Sequence, residues 1–116
     1  MAEHVFIVMS DPLADVPFDE FDAFYDLHVR EILALPGWVA AERYSLRFIH
    51  SKSGVQPPFG HCVRYEIDGD FDAAWTALRA AVEAGQLTLP EWFSRLQTAG
   101  WQGTPLGGGR VLASDL

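Results

Sequence analysis

Phe18 to Gly37 reads FDEFDAFYDLHVREILALPG, and the periodicity of this stretch decides what the rest of the chain can be. An α-helix turns about 100° per residue. With His28 at the origin of that wheel, Phe21, Phe24, Tyr25, Ile32 and Leu35 fall within about 60° of it. Asp19, Asp22, Asp26 and Arg30 fall on the far side. The pattern is an amphipathic helix with a histidine on the midline of its buried stripe. Pro17 precedes it, Asp19, Glu20 and Asp22 complement its N-terminal dipole, and Pro36-Gly37 stops it. A charged imidazole on an apolar stripe carries a desolvation cost, so His28 should be neutral, partnered, or lining a cavity.

Strands flank this helix. His4 to Met9 (HVFIVM) is a short apolar run without polar alternation, as in a strand covered on both faces, and Ser10-Asp11-Pro12 ends it. Trp38 to Ile49 predicts a second strand with loose alternation. His50 to Gly60 has the prolines, glycines and serines of a loop, and His61 to Ile67 (HCVRYEI) predicts a third strand. Asp70 is placed to cap a second helix, in which Phe71, Ala74, Trp75, Leu78 and Val82 recur at helical spacing up to Gly85. Thr88 and Glu91 have capping-box spacing, Pro90 suits an early helical position, and Trp92, Phe93 and Leu96 predict a short third helix reaching Gly100. A last strand is expected within Trp101 to Leu112. Gly107-Gly108-Gly109 is no phosphate loop, because no Lys-Ser/Thr pair and no helical pattern follow it.

The order is βαββαβ, the ferredoxin-like split arrangement, in one domain spanning 1–116. Two helices can cover one face of a four-stranded antiparallel sheet. The strands are apolar on both sides, so the second face also needs cover, and a two-fold homodimer supplies it.

The net charge is −8 with only eight Lys and Arg, which argues against nucleic acid and anionic membranes as partners. The acids concentrate between Asp11 and Glu31, as on a solvated helix face. Eight Phe, four Trp and three Tyr suit a packed interior or an aromatic-lined pocket. Cys62 is the single cysteine, so no intrachain disulfide can form and a reducing, cytoplasmic setting is expected. Its strand position suits a small buried hydrophobe better than a nucleophile. Neither a signal peptide nor a membrane span is expected.

The segment FYDLHVREILALPGWVAAERY resembles the signature of EthD-like proteins in the dimeric α+β barrel superfamily, through Phe24-Tyr25-Asp26, His28, Glu31, Pro36-Gly37-Trp38 and Arg43-Tyr44. YEIDGDFDAAW is similar to that family's third-strand-to-second-helix junction through Tyr65. The resemblance extends to about Val82. It implies a homodimer whose sheets pack into a barrel, with a pocket between helices and sheet in each subunit. The superfamily includes cofactor-free monooxygenases, polyketide cyclases, isomerases, lyases, haem-degrading enzymes and proteins without known chemistry, so the fold does not fix the reaction. Phe24 stands where the family usually has Trp, and Arg30 where it usually has Pro.

His28 has the ordinary pKa range of a general acid or base, and Glu31 lies one turn away, able to hold the ring or pair elsewhere. The competing reading is a structural histidine bonded to a backbone carbonyl. Tyr65 could donate to a substrate oxygen as charge develops there, or be an amphipathic core residue. His61 shares strand parity with Tyr65, and His4 begins the first strand, where some polyketide cyclases of the superfamily carry a histidine. Phe24, Tyr25, Glu31 and Tyr44 complete the candidate substrate contacts. The four histidines fall in four elements without metal-ligand spacing, so neither a metal nor another cofactor is expected. No Gly-x-Ser-x-Gly elbow is present. The expected activity is cofactor-free lyase, cyclase or isomerase chemistry on a small hydrophobic, aromatic or polyketide-like carbonyl compound. The alternatives are a non-catalytic small-molecule-binding accessory protein and a cofactor-free monooxygenase.

Overall fold

The computed structural model describes residues 3–116. Its elements are β1 (His4–Asp11), α1 (Phe18–Ile32), β2 (Trp38–Ser45), β3 (His61–Ile67), α2 (Phe71–Glu83), a 3-10 turn (Glu91–Arg95) and β4 (Gln97–Gly103). The four strands form one antiparallel sheet in the order β2-β3-β1-β4, the expected α+β ferredoxin-like fold. No helix among the described residues is long and apolar enough to cross a membrane.

Register assigns the two faces. Phe6 pairs with Tyr65 and Gln102, Val8 with Val63 and Gly100, and Ser10 with His61 and Thr98, while Ala41 and Arg43 lie opposite Tyr65 and Val63. Directly paired residues share a face, and this one looks at the helices. Phe21, Tyr65, Val63 and Ile67 are sealed at its centre. Trp38 closes one end of the core, its indole Nε1 donating to the Ala74 carbonyl at 2.9 Å. A bulge between Trp38 and Ala40 lets Trp38 turn inward. The other sheet face carries Val5, Ile7, Met9, Cys62, Tyr44 and Trp101; no helix among the described residues covers it, and residues of the 46–60 loop lie beside Met9 at one end, where Cys62 is buried.

α1 ends at Ile32, earlier than Pro36-Gly37 requires; Leu33 N–H closes the last turn on the Val29 carbonyl. Gly37 adopts φ +89° and a Cβ there would sit 3.1 Å from Ala74, so glycine allows the chain to reverse beneath α2. Asp70 caps α2 as expected, accepting from Ala73 N–H at 3.2 Å.

Other boundaries also differ from the sequence reading. β1 runs on through Ser10 and Asp11, which the sequence reading assigns to a turn, because β4 pairs with both residues and β3 with Ser10. β2 stops at Ser45, because the loop expected from His50 already begins at Leu46. The third helix is a single 3-10 turn rather than a helix reaching Gly100. The last strand begins at Gln97, not after Trp101: Gly100 lies under the Phe6 ring, where a Cβ would come within 2.8 Å. Gly107 and Gly109, at φ +59° and +80°, are in a left-handed conformation that no strand accommodates.

Candidate functional site

A cavity of about 210 Å³ lies between the sheet, both helices and the segment that follows α2. Phe6, Val8, Tyr65 and Thr98 form its floor. Tyr25, His28 and Ile32 enter from α1, and Leu87, Leu89 and Phe93 close one side. Trp75, Leu78, Arg79 and Val82 of α2 close the other, with Trp75, Val82 and Leu89 partly exposed at the mouth. The lining is predominantly hydrophobic with a few convergent polar groups, as in small-molecule pockets.

Helical spacing brings His28 to this wall. Its ring stacks on Phe24 at 5.0 Å between centroids and meets Phe93 at 5.6 Å and Tyr25 at 5.8 Å. Its Nδ1 is buried and has no hydrogen-bond partner among the described residues, so the backbone-carbonyl anchor of a structural histidine is missing on that nitrogen. Burial pushes the imidazole pKa down to about 4, against a smaller upward pull from the Glu31 carboxylate. His28 is therefore neutral near pH 7.

Burial likewise raises the phenols of Tyr65 and Tyr25, so both stay protonated donors. In each case Arg43 opposes the rise, and for Tyr25 the Ser10 hydroxyl opposes it as well.

The other candidates are distributed around this centre. His61 faces the helices with Tyr65 but lies behind Tyr25, its ring 4.5 Å from the Tyr25 ring. Phe24 backs His28 and lies outside the cavity lining, on a shallower groove with Trp92. Glu31 does not hold His28. Its two carboxylate oxygens accept from the Thr88 backbone N–H and hydroxyl, both at 2.9 Å. That grip also replaces the expected Thr88 capping box. His4 lies at the far end of β1, against Phe71 and within 3.3 Å of the Thr104 hydroxyl, away from the cavity. Tyr44 projects from the opposite sheet face, where its hydroxyl donates to Glu42. Its alternation along β2 is set by Ala41 and Arg43 pointing inward.

The sequence reading places Ser10 in a turn and Arg43 in the family-like motif and makes neither a candidate site residue, yet both are inward-facing and both hydrogen-bond to His61. An arginine two residues from an inward-facing alanine was the available signal, since a guanidinium on a buried face requires partners. No cluster of three or more His, Cys, Asp or Glu side chains able to hold a metal occurs among the described residues. Cys62 is buried on the open sheet face and its thiol is pushed up by burial.

No family model matches this chain, and no curated protein is significantly similar to it.

Proposed function

We propose that the protein is a cofactor-free acid/base enzyme of lyase, cyclase or isomerase type, acting on a small hydrophobic carbonyl compound with one aromatic or polyketide-derived ring. The observation that carries this reading is a neutral, buried His28 with an unpartnered Nδ1 at the wall of an apolar cavity. A buried polar nitrogen without a partner costs about 1–3 kcal/mol; Trp92 Nε1 is left the same way outside the cavity lining, so the position of His28 on the cavity wall, and not the missing bond alone, supports the reading. A cavity of about 150 Å³ already admits benzene. The volume here suits a single ring with short substituents.

The chemistry follows from the charge states. A neutral imidazole takes a proton from carbon next to the substrate carbonyl, and the electron pair moves to the carbonyl oxygen. Tyr65 donates its O–H to that oxygen as negative charge develops. The imidazolium is costly in the empty cavity but has an enolate beside it during reaction, and opposite charges in a low-dielectric site favour one another. His28 then returns the proton at a second position or to a departing group. The EthD-like motif through Tyr25, His28 and Glu31 supports the same assignment, as does the uncovered apolar sheet face, which suits a homodimer.

The test is a crystal soaked in a mixed library of aromatic carbonyl metabolites, followed by turnover of whatever binds. Density beside His28, and a folded His28→Gln protein that has lost turnover, are the expected results. A folded His28→Gln protein with full turnover ends the assignment. The second reading is a non-catalytic carrier of the same ligand. It is favoured by the depth of the His28 shift, because an imidazole at about 4 is a weak base near neutral pH. Saturable binding without product over long incubation selects it.

A further inference from the structure

α2 presents a cation where its own pattern calls for an apolar residue. Trp75, Leu78, Arg79 and Val82 follow the i, i+3, i+4, i+7 spacing of one helix face, and all four line the cavity. Three of them are hydrophobic. Arg79 is the fourth, and with His28 neutral it is the only charged residue in the lining among the described residues. The chain has sixteen acids against eight Lys and Arg, yet none of those acids lines the cavity among the described residues. Trp75 and Val82 stand partly exposed at the mouth, so the guanidinium marks the boundary between water and the apolar interior.

The protein itself makes little use of this charge. The ion pair of Arg79 among the described residues is with Glu83, one turn further along α2, at 3.9 Å from Nη2 to Oε1. That separation is beyond a hydrogen bond, and both side chains are largely exposed. Such a pair contributes little, least of all with the base N-terminal to the acid, the order that opposes the helix dipole. Arg30, Arg43, Arg64 and Arg95 differ, each having a carboxylate oxygen at 2.8 to 3.4 Å. A guanidinium offers a planar fork that matches the two oxygens of a carboxylate. At the mouth a bound carboxylate keeps part of its hydration while the ring attached to it fills the dry interior, which avoids the cost of burying an anion outright. An arginine that only lays its stem over apolar neighbours would instead treat charged and neutral ligands alike.

We propose that Arg79 is the specificity-determining residue of the cavity and that the ligand is a ring carboxylate, its ring among the apolar side chains beside His28 and Tyr65 and its carboxylate on the Arg79 guanidinium at the mouth. This deepens the proposed function and rests on the cavity being the ligand site. It narrows the ligand to a compound that carries a carboxylate away from the reacting carbonyl. A carboxylate fixed at the mouth also sets which end of the ligand reaches His28.

The probes are benzoate and nitrobenzene, which share a shape and differ by one charge, titrated calorimetrically into the folded protein at pH 7, where benzoate is ionised. Arg79→Met keeps an apolar stem and removes the charge. It should weaken benzoate about tenfold and leave nitrobenzene within about twofold of wild type. Arg79→Lys keeps the charge without the planar fork and should recover part of the loss. Glu83→Gln removes the competing carboxylate and should strengthen benzoate by about twofold. The side chain is exposed, so an unchanged Tm is expected in all three variants. The ring-proton NMR resonances of His28 should move with both probes, which locates them in the cavity. Equal benzoate affinity in wild type and Arg79→Met overturns the inference, and so does an equal loss of both probes, which would assign Arg79 to packing of the wall. An Arg79-dependent benzoate site that leaves His28 unmoved overturns it as well, because that site lies outside the cavity. If nitrobenzene moves His28 and benzoate does not bind, the carboxylate assignment falls and the cavity stands. If neither probe moves His28, the cavity reading falls and takes the inference with it.

Discussion

At the scale of the residue, His28 and its shifted pKa make two testable statements. Between its folded value of about 4 and the ordinary 6.5, the unfolded chain binds a proton that the folded chain refuses. Stability therefore rises with pH across that window and falls as pH drops from about 6.5 towards 4. The loss from this one group is on the order of 3 kcal/mol. His61, lowered to about 4 by burial and then by Arg43, adds a contribution of the same sign. Urea denaturation across the window should show the decline, and His28→Gln should flatten part of it; an unchanged slope in that variant refutes the assignment of the shift. The second statement concerns the unpartnered Nδ1. His28→Phe keeps an aromatic ring against Phe24 and Phe93 and deletes a buried nitrogen without a bond. Thermal melting should show stability equal to wild type or higher by about 1–2 kcal/mol, while ligand chemistry is lost. A large loss of stability would mean that the imidazole is held by a structural partner after all.

At the scale of the element, the cavity wall depends on one charge-assisted grip. Glu31 on α1 accepts two hydrogen bonds from Thr88, and the neighbouring Leu87, Leu89 and Phe93 line the cavity. Glu31→Ala removes both bonds and should cost about 1–3 kcal/mol. Amide hydrogen exchange should accelerate through 87–93 while β3 stays protected. Equal protection in both segments would show that the wall is held by its apolar contacts alone. β4 depends instead on what is absent. Gly100→Ala drives a Cβ to 2.8 Å from the Phe6 ring, and the displaced ring should cost about 1–3 kcal/mol, read as a lowered Tm. These two elements also mark where the sequence stops being legible. α1, α2 and β3 are local statements: a 3.6 period, a capping Asp70, and alternation in HCVRYEI place them closely. QTAGWQG has little strand propensity, and its glycine is required by Phe6, far away in the chain, so no local pattern announces β4. The site divides the same way. His28 and Tyr25 follow from the face that α1 buries, whereas strand parity pairs Tyr65 with His61 without telling which side of the sheet they face; only the assembled register settles that. The Glu31–Thr88 grip and the Arg43–His61–Ser10 chain join residues distant in sequence, which only the assembled fold brings within bonding distance.

At the scale of the whole molecule, one face of the sheet has no helix over it among the described residues. The helices cover one face, while Val5, Ile7, Met9, Tyr44 and Trp101 stand on the other with Trp101 half-exposed. The radius of gyration is 15.8 Å, against about 13 Å for a compact chain of this length. The excess fits the 46–60 loop and the residues after β4, where Ile49, Val55, Leu106 and Val111 are strongly exposed. An apolar sheet face flanked by apolar arms has the composition of an interface, and a second copy is the occupant that a two-fold axis provides without further components. Sedimentation should then report twice 12.9 kDa at micromolar concentration. Trp101→Glu separates the alternatives. In an isolated chain it alters an exposed side chain and should change stability by no more than about 0.5 kcal/mol. In a dimer formed through this face it buries an unpaired charge from each copy in the interface, so the species should fall to 12.9 kDa and the Tm should drop by an amount that depends on protein concentration. A wild-type protein that sediments as a single copy, with Trp101→Glu equally stable, would leave the apolar face uncovered in solution and remove the homodimer from the proposed function.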